Sequence, residues 1–113
     1  YRQQIMINQG ENQDTYIGQA LVDADGIVGQ IIHTDSYSST ALLISDPNHA
    51  IPVRIDRTGL RTIALGTGNP DQLKLAYIPK NSDIIIGDLI VSSGLGGRFP
   101  ANYPVGIITD IAH

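Results

Sequence analysis

Residues 91–103 read Val-Ser-Ser-Gly-Leu-Gly-Gly-Arg-Phe-Pro-Ala-Asn-Tyr, and Pro-Val-Gly follows at residues 104–106. Glycine gives the backbone access to positive φ, whereas proline fixes φ and removes a hydrogen-bond donor. The residues that would shape the backbone in this way are Gly94, Gly96, Gly97, Pro100 and Pro104. Neither a helix nor a strand can continue through such a segment, so we predict a loop and call residues 91–103 the Gly/Pro loop.

Four large side chains lie within this loop, namely Leu95, Arg98, Phe99 and Tyr103. Loops held by a rigid scaffold are where binding residues concentrate. We therefore predict that these four side chains contact a partner, Arg98 through charge-assisted hydrogen bonds and the others through apolar burial. The alternative is that Phe99 and Tyr103 fold back and close one end of a barrel, because aromatic residues are scarce in this chain and cores recruit them.

The composition excludes several classes of function. The chain has 113 residues and a formal net charge of -4, whereas a non-specific nucleic-acid binder needs a basic patch, so no nucleic-acid partner is predicted. The basic residues group only at Arg54, Arg57 and Arg61, which we interpret as solvated charge at strand edges. The absence of cysteine excludes disulfides and thiolate nucleophiles, and no run approaches the roughly 18 apolar residues that span a bilayer.

Short apolar segments separated by glycine, proline and Asn/Asp turns recur along the whole chain. They predict strands at residues 5–7, 20–22, 27–33, 41–45, 50–55, 60–65, 72–78, 84–86 with 89–91, and 105–111. No segment has ten residues of helical periodicity, so we predict an all-β barrel or sandwich. Proline cannot donate to a strand ladder, so Pro52 predicts that its strand lies at a sheet edge or carries a bulge.

Two segments of the chain resemble each other. Residues 14–22 align without a gap with residues 83–91, and residues 27–31 align with residues 104–108. Each copy reads as an acidic residue, an apolar pair, glycine, a polar residue, an apolar strand, a turn, and a strand that contains Val-Gly. The short turn at residues 23–26 in the first copy is replaced by the Gly/Pro loop in the second. Duplication and chance similarity both remain open for segments of this length.

Two histidines and two serines raise the question of a Ser-His-Asp hydrolase, namely His33, His49, Ser92 and Ser93. The serines lie in Ser92-Ser93-Gly94, which is not the Gly-x-Ser-x-Gly turn of such enzymes. His33 ends a predicted strand and His49 occupies a predicted turn, and at both places structural hydrogen bonding is the more common role. We therefore predict no catalytic residue.

Sites for phosphate or metal are weakly indicated. The glycines of the loop lack the Lys-Ser/Thr ending and the following helix that a phosphate-binding loop requires. His33 lies near Asp35 and Asp46 lies near His49, but two potential ligands at a turn fall short of a metal site. We predict neither a metal nor a cofactor.

Three motifs resemble a known family. They are Asp-Gly-Ile-Val-Gly-Gln at residues 25–30, Leu-Leu-Ile-Ser-Asp-Pro-Asn-His-Ala-Ile-Pro-Val at residues 42–53, and Ser-Ser-Gly-Leu-Gly-Gly-Arg-Phe-Pro at residues 92–100 with Tyr-Pro-Val-Gly at residues 103–106. On these motifs the chain resembles the bacterial rod-shape-determining MreC family, in the form found in Gram-negative bacteria. The third motif is the most specific because it is a long uninterrupted run.

The resemblance implies two small β-barrel-like domains of short, mostly antiparallel strands, with no substantial helix. We predict that residues 1–35 with 83–113 form the first domain and residues 36–82 the second. The resemblance also implies a periplasmic location, with the full-length protein anchored in the cytoplasmic membrane by a segment outside this chain. The family's chains normally continue past the position of residue 113 with further strands.

The resemblance implies a non-enzymatic scaffold of the elongasome, the machinery of peptidoglycan synthesis that determines cell shape. Such a scaffold binds the elongation-specific penicillin-binding transpeptidase and other membrane proteins of the complex, and it self-associates as a homo-oligomer in the full-length protein. Two alternatives stay open at this point. One is a degenerate or active serine hydrolase on a two-barrel scaffold, and the other is a ligand-binding β-barrel.

Overall fold

The computed structural model describes residues 3–112. Nine strands and one short turn of 3₁₀ helix (Glu11–Gln13) form the regular structure of these residues. The strands are β1 (Gln4–Ile7), β2 (Ala20–Asp23), β3 (Gly26–Thr34), β4 (Ser39–Leu43), β5 (Ala50–Ile55), β6 (Arg61–Gly66), β7 (Leu73–Ala76), β8 (Leu89–Ser92) and β9 (Pro104–Ile107). The predicted all-β class without substantial helix is confirmed.

The strands form two antiparallel sheets. The first has four strands in the order β1-β4-β3-β2, and the second has five in the order β7-β6-β5-β8-β9. The core is mostly aliphatic and β-branched, and it comprises Ile27, Ile51, Val53, Ile55, Ala64, Ile90, Phe99 and Ile108. Alternation along β5 places its three β-branched residues in the core, so this strand lies at the centre of the packing.

The sheets group strands that are neighbours in sequence. The first sheet lies within residues 4–43 and the second within residues 50–107. β4 pairs with β3, and β8 pairs with β5, so hydrogen bonding crosses both boundaries of the predicted division. The division into residues 1–35 with 83–113 and residues 36–82 itself stays a prediction.

Pro52 lies neither in an edge strand nor at a bulge of β5, so the prediction of one or the other is wrong. β5 has β6 on one side and β8 on the other. Ile55 donates its backbone N–H toward β6, to the carbonyl of Leu60 at 2.8 Å, and Asp56 donates toward β8, to Leu89 at 2.9 Å. Backbone N–H groups point alternately to the two neighbouring strands, so an N–H at residue 52 would point toward β8, but β8 ends at residue 92. The N–H that proline lacks would therefore lie past the end of β8, so no hydrogen bond of the ladder is lost. The carbonyl of Pro52 still accepts the N–H of Ser93 at 3.1 Å.

Residues 84–86 do not form the predicted strand but lead into a turn at residues 85–88. The backbone N–H of Asp88 donates to the carbonyl of Ile85 at 3.1 Å, which closes the turn before β8 begins. Ile85 and Ile86 are exposed on the outside of this turn. An apolar run alone therefore did not distinguish a strand from an exposed turn.

The two aligned sequence segments fold into equivalent hairpins, β2–β3 and β8–β9. Both hairpins have the same register and a bulge at the same position of their first strand. In the first hairpin the pairs are Ala20 with Gln30, Leu21 with Gly29 and Val22 with Ile27. The equivalent pairs in the second hairpin are, in the same order, Leu89 with Ile107, Ile90 with Gly106 and Val91 with Pro104. The residues that pair in the second hairpin are therefore those that align with the paired residues of the first.

The turns that precede the two hairpins are equivalent as well. Gly18 donates its backbone N–H to Ile31 at 2.8 Å, and Gly87 donates to Ile108 at 2.8 Å. The two glycines have φ values of 94° and 97°. Matching turns, bulges and registers favour duplication over chance similarity.

Candidate interaction site

The Gly/Pro loop is closed at its base by Ser92, which is fully buried. The hydroxyl of Ser92 donates to the carbonyl of Pro100 and accepts the backbone N–H of Tyr103 at 3.0 Å. Its backbone N–H donates to the carbonyl of Tyr103 at 2.8 Å, and its carbonyl accepts the N–H of Asn102 at 2.8 Å. One buried residue therefore fixes both ends of the loop.

The tip of the loop is a tight turn whose first residue, Gly94, lies close to the side chain of Ala101. Gly97 donates its N–H to the carbonyl of Gly94 at 3.1 Å, with Gly96 at φ 80°, which is typical of a type II turn. Gly94 has φ 76°, and a Cβ at this position would lie 2.8 Å from the Cβ of Ala101. The loop is further tied to the second sheet by a hydrogen bond from Arg54 of β5 to Asn102.

The four side chains singled out in the loop point in different directions. Phe99 is only 6% exposed, and its ring packs edge-on against His49, with centroids 5.7 Å apart and planes at 81°. Leu95 is 60% exposed and Tyr103 is 41% exposed, and Arg98 is also exposed. Phe99 thus points into the core, as the alternative prediction had it, and exposes almost no surface to a partner. Tyr103 does not point into the core. The contact role of Leu95, Arg98 and Tyr103 stays a prediction.

A groove of about 410 Å³ separates the Gly/Pro loop from the first hairpin. The loop contributes Arg98, Pro100 and Tyr103 to its lining, together with Gly97 and the buried Phe99. The β2 strand and the turn before it contribute Tyr16, Gln19, Ala20 and Val22. Sequence reasoning missed these four residues, because their approach to the loop depends on how the two sheets pack.

Of the three histidines in the chain, His33 and His49 are the candidates for a catalytic pair with serine. His49 is buried and its Nε2 lies 3.2 Å from the side-chain oxygen of Gln30, whose amide donates to the carbonyl of Gly18 at 3.1 Å. His33 lies at the surface, 3.3 Å from Asp35. In the part of the chain that the structure describes, neither histidine is hydrogen-bonded to a serine hydroxyl. The structure therefore shows no Ser-His pair there.

Burial of His49 predicts a dependence of stability on pH. Burial lowers its pKa from the ordinary value of 6.5, and the nearby Asp46 partly opposes this. Well above pH 6.5 the ring is neutral in both the folded and the unfolded chain. As the pH falls through 6.5 the unfolded chain gains a proton that the folded chain takes up only at lower pH, so the unfolded state is favoured. We expect the free energy of unfolding to fall from about pH 7.5 to about pH 5.5 more steeply than in His49→Gln. Urea denaturation at each pH measures this, and parallel curves for the two proteins would contradict it.

Arg57 holds the turn in front of the second hairpin. Its Nε and Nη2 donate to the carboxylate of Asp88 at 2.7 and 3.0 Å, and its Nη1 and Nη2 donate to that of Asp83 at 2.9 and 3.0 Å. Asp88 is 5% exposed and also accepts the N–H of Ile85 at 3.0 Å. The hydrogen bonds from Arg57 lower the pKa of both carboxyl groups. Arg57 is exposed, as the interpretation as solvated charge expects, but it is also paired with two carboxylates, whereas Arg61 is exposed without such a pair.

The family model for the barrel core of the rod shape-determining protein MreC matches residues 1–113. This chain belongs to the MreC family. The family resemblance inferred from the three sequence motifs is thereby confirmed. Members of the MreC family are cell shape-determining proteins, which is a structural role.

Relatives in the MreC family agree with this assignment in sequence and fold. The cell shape-determining protein MreC of Haemophilus influenzae is 47% identical over 112 residues, which cover 99% of this chain and 32% of that protein. The chain thus spans about a third of the length of that relative. The crystal structure of MreC from Pseudomonas aeruginosa is 49% identical with a TM-score of 0.96, and the match covers 100% of this chain and 73% of that chain.

A further solved MreC structure includes a second protein. It is the complex between Penicillin-Binding Protein (PBP2) and MreC from Helicobacter pylori. That structure matches this chain with a TM-score of 0.68 and 25% identity, covering 81% of this chain and 57% of that chain. The fold of the present chain therefore occurs in a protein that has been captured with a penicillin-binding protein.

Residues 3–112 contain neither a metal-ligand cluster nor a membrane-spanning helix. No group of three or more histidine, cysteine, aspartate or glutamate side chains among them is arranged to hold a metal ion. These residues also contain no helix with the length and hydropathy of a membrane span.

Proposed function

We propose that this chain is a non-enzymatic scaffold module of the cell-elongation machinery and that it binds the elongation-specific penicillin-binding transpeptidase. The observation that carries the proposal is the H. pylori complex, in which a relative of this fold is bound to PBP2. The module acts in the periplasm, and the full-length protein is anchored in the cytoplasmic membrane and contacts other membrane proteins of the elongation complex. It also self-associates.

The geometry of the Gly/Pro loop supports a binding role. Ser92 and the link between Arg54 and Asn102 fix the base of the loop, so the loop backbone loses little entropy when a partner binds. Leu95 and Tyr103 project from this fixed backbone with 60% and 41% exposure. Exposed apolar and aromatic side chains on a rigid loop are typical of a protein-binding surface.

The absence of enzymatic activity is part of the same proposal. The hydroxyl of Ser92 is fully buried and hydrogen-bonded to loop backbone, and the hydroxyl of Ser93 accepts the N–H of Leu95 at 3.2 Å. Each serine thus has a structural role, and no observation favours the hydrolase alternative. A covalent serine-directed probe is expected to label neither residue.

The test is a binding measurement between this chain and the soluble ectodomain of the transpeptidase from the same organism. We expect Leu95→Ala to weaken binding about tenfold, which places Leu95 among the minority of interface residues whose truncation costs more than about 1 kcal/mol. Its melting temperature should not change, since Leu95 is 60% exposed.

Met6→Ala is the matched control, because Met6 is 78% exposed on β1, in the other sheet. It should bind like the unmodified chain. The proposal fails if the unmodified chain shows no binding, and the role of Leu95 fails if both variants bind equally. Light scattering of the full-length protein tests self-association.

A further inference from the structure

The groove between the Gly/Pro loop and the first hairpin contains hydrogen-bond donors but no acidic side chain. Arg98 is its only charged lining residue, and within residues 3–112 its guanidinium has no hydrogen-bond or ion-pair partner. Gln19 uses its side-chain oxygen to accept the N–H of Tyr16 at 3.2 Å, which leaves its amide N–H groups to donate. The hydroxyls of Tyr16 and Tyr103 are also unpaired within the described range. This lining is complementary to an anion.

The same groove has an apolar part next to these donors. Val22 is 44% exposed and lines the groove with Pro100 and the rings of Tyr16 and Tyr103. An occupant that uses the whole groove therefore carries a negative charge beside an apolar group. Free inorganic anions satisfy only the first requirement.

The strand that lines the groove also favours an extended chain. Within residues 3–112, β2 is the last strand of its sheet and has β3 as its one neighbour, so every second peptide group of β2 points away from the ladder. An extended segment that lies along such an edge can form backbone hydrogen bonds and place alternate side chains in the groove. Sugars and lipids have no equivalent use for a strand edge.

The charge of the chain restricts where an acidic segment can bind. The formal net charge is -4, so an acidic segment is disfavoured over most of the surface. Screening limits that repulsion to a range of about 8 Å at physiological salt, and within that range Arg98 can pair with a carboxylate in bidentate geometry. Charge complementarity thus favours a site around an exposed arginine without an acidic partner, such as Arg98.

We propose that the groove binds an extended acidic segment of the partner protein, with a carboxylate on Arg98 and a neighbouring apolar side chain against Val22 and Tyr16. This inference rests on the proposed function, because it identifies the part of the transpeptidase that the groove recognises. It adds the first hairpin to the site, which the sequence had confined to the loop.

The first experiment measures binding of the transpeptidase ectodomain to Arg98→Ala, Arg98→Lys and Arg61→Ala. We expect Arg98→Ala to weaken binding roughly thirtyfold and Arg98→Lys roughly tenfold, because lysine cannot form the bidentate pair. Arg61 is exposed in β6, so Arg61→Ala removes the same charge elsewhere and should bind within about twofold of the unmodified chain. All three variants should keep the melting temperature.

The outcomes separate this inference from the proposed function. If the unmodified chain does not bind the ectodomain, the proposed function itself is wrong. If it binds and both arginine-to-alanine variants bind equally well, only the groove assignment is overturned.

The second experiment tests the ligand chemistry by NMR of the labelled chain. The probes are acetyl-Val-Glu-Val-amide, its glutamine counterpart, and a soluble disaccharide muropeptide. We expect the glutamate peptide alone to shift the backbone amides of Val22 and Gly97, and to lose this effect in Arg98→Ala. Equal shifts with the glutamine peptide, or larger shifts with the muropeptide, would overturn the assignment to an acidic peptide segment.

Discussion

Replacing Gly26 with alanine is expected to lower the free energy of unfolding by about 2–4 kcal/mol, the sum of about 1–3 kcal/mol for overpacking and about 1 kcal/mol for backbone strain. Gly26 is the first residue of β3 and has a φ of 135°, a value that residues other than glycine rarely adopt. A Cβ there would overlap the carbonyl oxygen of Pro104, the first residue of β9. β3 and β9 belong to different sheets and contact each other here, so relief of the overlap must separate the two sheets.

A matched control isolates the overlap from the strain. Gly59 has a φ of 77° in the turn between β5 and β6, and a Cβ there would meet no atom within 4 Å. Gly59→Ala should therefore lose only the strain contribution, about 1 kcal/mol. Urea denaturation of both variants measures the difference. Equal losses at the two positions would show that the contact between β3 and β9 does not constrain the fold.

The fold class followed from the sequence because strand and turn signals are local. Alternating apolar residues and glycine or proline turns act within a few residues, so all nine strands lie within or overlap a predicted segment. The neighbours of each strand are set by contacts between distant residues. Pro52 illustrates this limit. It cannot donate a hydrogen bond to the strand on its β8 side, but β8 ends before it reaches this position, so Pro52 can lie in a central strand.

The repeat is the exception, since it carried long-range information. Alignment of residues 83–91 with 14–22 predicted an equivalent hairpin, and the structure reproduces the pairing and the bulge. The alignment could not show that the two hairpins flank one groove, because that depends on how the sheets pack. Tyr16 and Val22 therefore entered the candidate site only from the structure.

Replacing Phe99 with alanine is expected to have the largest effect in the Gly/Pro loop. The ring is 6% exposed and belongs to the core shared by both sheets. Truncation of such a side chain typically costs about 3–5 kcal/mol, which is a large part of the roughly 5–15 kcal/mol that stabilises a domain. Urea denaturation followed by circular dichroism measures the loss. Leu95→Ala is the control in the same loop and should change stability by less than about 0.5 kcal/mol.

Phe99→Leu separates the two roles that the sequence left open for this ring. If Phe99 fills the core, leucine restores most of the buried volume, so stability and partner binding should both stay close to those of the unmodified chain. If the ring instead anchors a partner, Phe99→Leu and Phe99→Ala should weaken binding while stability is retained. The second pattern would contradict the inward orientation. The first would leave Leu95, Arg98 and Tyr103 as the loop's contact surface, with Phe99 acting only by holding that surface against the core.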